Sequence, residues 1–373
     1  MPSKEIDRLQ KAFARTEVCV LGLPFDRLDE RAAIAQLDNA FDRRERCFLS
    51  TPNLNFAISA LNDTDFRESV FRSDLSVADG MPLIWLSRLT GASLPQRVAG
   101  STIFETIRNR PRAERVSVFF FGGMDNTAEL AAGELEKGAA GVRSAGGLNP
   151  GMGSVNEMSS DEHIQTVNAA DPDFLVVSLG AKKGQSWIIE NQDRLNARVI
   201  SHLGAVVNFV AGTVKRAPLI WQKLGLEWVW RIVEEPSLWK RYFFDGVALV
   251  KLVTTCVIPL SLYGRFLSTK FRDSPLTYSI QSAESTTHLT LSGSAYSSNL
   301  QYLKAELPQL VLKDQNLVLD LRGLDYVDGC FWALMLRLRI ELRGGGKQLR
   351  FEGVQDRVAC LARLNRVDHV LGI

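Results

Sequence analysis

Two almost wholly apolar runs, VSVFFF (116–121) and FLVVSL (174–179), constrain the fold of this chain more than any other feature. Apolar runs without alternation mark strands covered on both faces, and such strands belong to parallel sheets layered with helices. Each run ends in glycine and leads into residues at helical spacing: 127–136 after Gly122-Gly123, and 187–195 after Gly180. Shorter runs at 17–21 (EVCVL), 47–51, 75–78 and 199–203 repeat the rhythm, with helical patterns at 31–41 and from Asn55. The reading is α/β, with a Rossmann-like doubly wound parallel sheet.

In such a sheet ligands bind beyond the carboxyl ends of the strands. Weight therefore falls on Thr51-Pro52-Asn53, Asp79-Gly80, Gly122-Gly123, Gly180-Ala181-Lys182 and Gly204-Ala205. Asp79 suits a cap on the helix that follows, the reading its position alone favours, or a general base for a hydroxyl. Thr51 and Asn53 offer neutral hydrogen-bonding groups to a sugar, or a turn and an N-cap. Arg97, in QRVAGS, has the planar fork that binds diphosphate, unless it is a solvated surface residue. Gly122 and Gly123 let backbone N–H groups approach a phosphate, or make a tight turn.

From 212 to 272 the strand rhythm stops. This stretch holds Trp221, Trp228, Trp230 and Trp239 beside Lys215, Arg216, Lys223, Arg231, Lys240 and Arg241. It reads as a helical C-terminal appendage that suits an anionic bilayer surface, a phosphate, or packing on the domain. Residues 247–263 are apolar but contain Lys251 and Pro259. They fall short of the ~20 residues a spanning helix needs, so they read as a buried or membrane-surface segment. FRDSP (271–275) reads as a linker. A small α/β block follows from Leu276, with strands at 288–291, 317–321 and 349–351 and helices at 300–310, 330–342 and 354–364. The expected division is 1–272, with 213–272 as appendage, and 276–373, the second block being dispensable for chemistry.

The chain's 373 residues allow two or three domains. With 44 Lys+Arg against 42 Asp+Glu the net charge is +2, which argues against a nucleic-acid binder. Five dispersed cysteines form no framework, and MPSKEIDRLQ has no apolar leader, so a cytoplasmic protein is expected. The four histidines lack metal-ligand spacing, so no metal and no other cofactor is expected.

Taken in order, TPN (51–53), ADG (78–80), RVAGS (97–101), FFFGG (119–123), SLGAKKGQSWI (178–188), SHLGAVVNFVAG (201–212), KRAP (215–218), LGLEWVWRIVEEP (224–236) and KRY (240–242) resemble the WecG/TagA/CpsF glycosyltransferases. The resemblance covers most of 17–245. It implies a metal-independent, inverting transfer of a hexosyl group (N-acetylmannosaminyl, uronosyl or glucosyl, for example) from a UDP-sugar to a polyprenyl-diphosphate-linked saccharide. The enzyme would sit on the inner face of the cell membrane, against anionic lipid, in exopolysaccharide or cell-envelope glycan synthesis. It maps the base onto Asp79, with Thr51 and Asn53 near the reacting sugar. Arg97 and Arg231 become diphosphate partners, and Arg216 and Arg241 belong to the same basic helices; Gly122, Gly123, Gly180, Lys183 and Gln185 complete the expected substrate-binding residues.

One motif departs from the family. G-x-P-K-Q-E reads here Gly180-Ala181-Lys182-Lys183-Gly184-Gln185. Lys183 matches, and Gln185 is expected to supply the amide from one position later. The last block resembles a STAS domain through residues 317–354. The phosphoacceptor position of phospho-switching members is Cys330, within Asp328-Gly329-Cys330-Phe331, which leaves an interaction role and a protein partner. The rival readings are a non-catalytic homologue and a regulatory or scaffold protein dominated by the STAS-like block.

Overall fold

A computed structural model describes residues 2–373 apart from 219, 222–224 and 284; Lys223 lies outside the described residues. The chain forms two compact units, and they are not the two sequence blocks. One comprises Leu28–Met81 and Pro95–Val247; the other comprises Met1–Arg27, Pro82–Leu94 and Ala248–Ile373.

The run EVCVL forms β1 (Glu17–Val20), which pairs antiparallel with β2 (Leu23–Asp26). Leu21 and Gly22 turn the hairpin with φ of 49° and 76°. The rhythm of the first block placed β1 in the parallel sheet. Instead its four buried residues pack on the helix Gly329–Gly344 of the C-terminal block. Uniform burial is what the run encoded, and a helix supplies it as well as a second sheet layer does.

The parallel sheet contains β3 (Cys47–Ser50), β4 (Leu75–Ser76), β5 (Val116–Gly122), β6 (Val142–Leu148), β7 (Phe174–Ser178) and β8 (Val199–His202), in the order β4-β3-β8-β7-β5-β6. Every pairing is parallel. Helices cover both faces. Ile34, Leu37, Ile103, Phe104, Ala131 and Val207 pack with Phe120 and Val176 on one side. Ile164, Val167, Trp187 and Ile188 pack with Phe119, Phe121 and Val177 on the other. This is the expected doubly wound sheet. Edge strand β6 (VRSAGGL) carries two glycines and a largely half-exposed surface, so it lacked the apolar signature of its neighbours.

In the other unit β9 (Thr277–Ser282), β10 (Thr286–Ala295), β11 (Asn316–Val327) and β12 (Leu349–Glu352) make a mixed sheet of order β12-β11-β10-β9. Only β9 runs antiparallel to its neighbour. The expected linker is part of this packing: Ser294 N–H donates to Ser274 O (3.1 Å) and Ser294 Oγ to Phe271 O (3.1 Å). Gly293 has φ 90°, and a Cβ there would collide with the Pro275 carbonyl.

Residues 247–263 lie within one helical run, Pro236–Lys270, of 35 residues. That run is long and apolar enough to cross a membrane, so the shorter stretch read from sequence understated it. In the part of the run from Ala248 onward, Leu252, Cys256, Val257 and Leu267 are buried.

Candidate active site

Backbone hydrogen bonds gather two strand ends and the loop before Gly100 at one rim of the parallel sheet. Val77 N–H donates to Ser50 O (3.0 Å), Asp79 N–H to Pro52 O (2.9 Å) and Val98 N–H to Ala78 O (2.9 Å). Thr51, Asn53, Asp79 and Arg97 are thereby brought together. Asn53 Oδ1 accepts from Phe56 N–H at 3.1 Å and caps the helix Leu54–Asn62, so its cap reading holds. Gly100 admits a close approach here: a Cβ on it would sit 2.5 Å from Leu203 Cδ2 and 3.1 Å from Thr51 Oγ1.

The charged centre is a cluster. Arg97 Nε and Nη2 both donate to Asp79 Oδ1 at 3.2 Å, and Nη2 also donates to Glu227 Oε2 at 2.6 Å. Arg216 donates to Thr102 Oγ1 (2.7 Å) and pairs with Glu105. Burial pushes the Asp79 carboxyl above the usual carboxylate range; Arg97 pulls it down and Glu227 pushes it further up. Arg216 belongs to the same field. Desolvation lowers its pKa, and Glu227, Arg97 and Asp79 all act on it. The arrangement holds a proton-accepting carboxylate beside two guanidinium groups, which can take a proton from a hydroxyl while cations face a departing anion.

Other expected residues fall elsewhere. Gly122 and Gly123 have φ of 94° and 104°, and a Cβ on Gly122 would lie 2.6 Å from Ser178 O. Gly123 N–H donates to Ser178 O at 2.7 Å, so the tight-turn reading accounts for it. Gly180, with φ 78°, precedes the helix Ala181–Asn191 at the exposed end of β7. Lys183 Nζ donates to Gly153 O at 2.7 Å. Gln185 is 0% exposed, and its Nε2 donates to Ser50 Oγ at 3.1 Å. Moving a side chain one place along a helix turns it by about 100°, here into the sheet. Arg231 lies over the Phe209 ring (5.1 Å) and Arg241 over Tyr242 (4.9 Å). Both sit on the helical appendage, which Asn55 anchors by donating to Asp245 Oδ1 at 3.0 Å.

Two residues at this rim were not singled out from sequence. Glu227 stands at the start of the helix Glu227–Glu234, where an acid is the ordinary complement to the helix dipole. His202 ends β8 between β3 and β7, 9% exposed, with burial lowering its pKa to about 4.

Residues 18–260 match the model of the Glycosyl transferase WecG/TagA/CpsF family, and residues 278–372 match that of the Mlab, STAS domain. Similar proteins include the N-acetylglucosaminyldiphosphoundecaprenol N-acetyl-beta-D-mannosaminyltransferases of three bacteria. That of Bacillus spizizenii is 24% identical over 209 residues, 56% of this chain and 79% of the relative. That of Bacillus subtilis is 26% identical over 208 residues, covering 54% and 76%. That of Staphylococcus aureus (strain MRSA252) is 22% identical over 227 residues, covering 60% and 86%.

Proposed function

Because this chain belongs to the WecG/TagA/CpsF glycosyltransferase family and carries a STAS domain, we propose that it moves a hexosyl group from a UDP-sugar to a polyprenyl-diphosphate-linked saccharide. The observation that carries this reading is the Asp79–Arg97–Glu227 cluster at the strand ends. An acceptor hydroxyl oxygen attacks the anomeric carbon as the bond from that carbon to the UDP oxygen breaks. The hydroxyl proton passes to Asp79, and UDP leaves with the bonding pair. A single displacement inverts the anomeric centre, consistent with the β-linkage in the relatives' names. Arg97 and Arg216 face the diphosphate charge, with Arg231 and Arg241 further along the appendage. Thr51 and Asn53 flank the reacting sugar.

The acceptor follows from the relatives' names, and N-acetylmannosaminyl is the first donor group to test. The helix Pro236–Lys270 supports a position on the membrane surface. Phe243, Val250, Leu262 and Phe266 are exposed on it, while Leu252, Cys256, Val257 and Leu267 are buried. A helix with one side buried and another apolar and exposed suits the interface plane.

A panel of UDP-sugars, assayed for UDP release with and without a synthetic polyprenyl-diphosphate N-acetylglucosamine, tests the reaction class. Acceptor-dependent release from at least one donor is expected. Absence of release across the panel would favour the non-catalytic reading.

A further inference from the structure

A polar cavity of about 340 Å³ lies within the unit that carries the STAS domain. That is the size at which small-molecule sites begin, ~300 Å³. Its walls come from the β1–β2 hairpin, from residues 89–92, and from the C-terminal block with the helix Ile258–Lys270. The donors facing it are largely unspent. Tyr326 Oη, Ser261 Oγ, Ser297 Oγ and the Arg265 guanidinium make no hydrogen bond or ion pair among the described residues. Arg27 Nε donates to Ser93 O at 3.1 Å, and its charge acts on Asp328 and Cys330, which also line the cavity. The acceptors, by contrast, are used. Asp328 Oδ1 accepts from Cys330 N–H (2.9 Å) and Phe331 N–H (3.1 Å), and Oδ2 accepts from Ser297 N–H (2.8 Å). Two guanidinium groups against one capped carboxylate, with hydroxyls to spare, complement an anion rich in acceptor oxygens.

The cavity's position says where such an anion would come from. Ser261, Arg265 and Ser268 follow one another at four- and three-residue spacing, so one face of the helix Ile258–Lys270 forms a wall. Leu262 and Phe266 stand one residue further on, 66% and 60% exposed. An exposed apolar strip therefore runs beside the wall, and Arg265, itself exposed, stands at the opening. A bilayer that receives Leu262 and Phe266 brings its headgroup phosphates to the level of Arg265. Tyr326 remains a donor there, because burial pushes its phenol well above the ordinary value and Asp328 adds to the shift.

We propose that this cavity takes the headgroup of a membrane glycerophospholipid, with its phosphodiester held by Arg27 and Arg265 and its other oxygens by Tyr326, Ser261 and Ser297. This rests on the membrane-surface position argued above and adds a defined headgroup site to it. Inorganic phosphate and glycerol 3-phosphate offer the same charge and acceptor oxygens from water. The strip formed by Leu262 and Phe266 at the opening favours the lipid, whose acyl chains it would meet.

The test uses the full chain and calorimetry with dihexanoyl phosphatidylglycerol, a soluble phospholipid, beside glycerol 3-phosphate and inorganic phosphate. Wild type should bind the phospholipid about 10-fold more tightly than either water-borne anion. A Cβ on Gly264 would have only Tyr326 Oη near it, at 3.9 Å, so a larger side chain there enters the cavity. Gly264→Leu and Tyr326→Phe change no surface charge, and each should raise the phospholipid Kd about 10-fold. Arg265→Gln should do the same. Lys251→Gln, exposed on the same helical run but outside the cavity, should leave that Kd within about two-fold. Phospholipid binding unchanged in Gly264→Leu and Tyr326→Phe overturns the proposal. If those two do not fold, the exposed Arg265→Gln decides, and a Kd equal to that of Lys251→Gln overturns it. Tighter binding of glycerol 3-phosphate or phosphate than of the phospholipid also overturns it, in favour of a water-borne anion. A wild-type chain that neither binds the soluble phospholipid nor floats with phosphatidylglycerol vesicles removes the membrane position as well. Flotation of wild type with phospholipid binding that the cavity variants leave unmoved removes this site alone.

Discussion

Arg97 and Glu227, 130 residues apart in the chain, meet at 2.6 Å at the rim of the parallel sheet. The same guanidinium holds Asp79 at 3.2 Å. Glu227 therefore acts on Asp79 in two ways: it draws Arg97 toward itself, and it adds a like charge nearby. Both raise the Asp79 pKa, in line with its net direction. A carboxylate poised above its ordinary range is a better base near neutral pH than one near ~3.9.

Glu227→Gln tests that coupling. The acid limb of kcat/KM against pH reports the free enzyme's essential base. Its midpoint should lie above the ordinary carboxylate range in the wild type and move to lower pH in Glu227→Gln, because a charge that raises Asp79 has been removed. The plateau should fall by about 10-fold as Arg97 loses a charge-assisted partner. A limb that stays in place, or moves to higher pH, would separate Asp79 from Glu227.

Much of this rim was legible in the residues. Strands β5 and β7 announced themselves because both faces are covered, and Asp79 and Thr51 stood out as polar residues ending apolar runs. Three features were not legible. β1 looked like another parallel strand, since a local pattern encodes burial and not the identity of the covering layer. Gln185 was expected to reach a ligand, but one step along a helix redirects it onto Ser50. Glu227 was not singled out, because its partner lies in a loop 130 residues away.

Within its compact unit the C-terminal block is tied to β1. Glu17, on β1, pairs with Arg337 at 2.8 Å and with Arg15 at 3.0 Å, and all three side chains are buried or nearly so. Desolvation raises the Glu17 pKa, but Arg15 and Arg337 outweigh it and hold the carboxyl below its ordinary value. Glu17→Gln should destabilise the chain by about 1–3 kcal/mol at pH 7, since it removes a buried charge shared by Arg337 and Arg15, although Arg15 keeps Asp26 at 2.7 Å. A depressed folded pKa contributes stability above the unfolded value of ~4.3, and that stability is lost as pH falls through the folded value. The gap between wild type and Glu17→Gln in chemical denaturation should therefore shrink in acid. A chain ending near Asp273 should fail to give a stable soluble protein, since it strips the cover from β1. A truncated chain as stable as the full one would contradict this packing.

Membrane attachment is expected from the Pro236–Lys270 helix. Its exposed Phe243, Val250, Leu262 and Phe266 supply apolar contact, with Lys240, Arg241, Lys251 and Arg265 on the same run. Each basic residue near an anionic surface contributes about 1 kcal/mol, screened by salt. Flotation with liposomes containing anionic lipid should be strong at low salt and weaker at high salt. Phe243→Glu/Leu262→Glu should abolish it. Salt-insensitive flotation would instead indicate deep insertion of the helix, and no flotation would remove the membrane assignment.

The central claim is that Asp79 accepts the proton from an acceptor hydroxyl while a hexosyl group moves onto a polyprenyl-diphosphate-linked sugar. Mass spectrometry of a synthetic acceptor, incubated with the donor selected by the panel, reads this directly. Wild type should add the mass of a single hexosyl residue. Asp79→Asn should add it ~10²–10⁴-fold more slowly while binding the UDP-sugar unchanged. An Asp79→Asn enzyme that extends the acceptor at close to the wild-type rate would contradict the account.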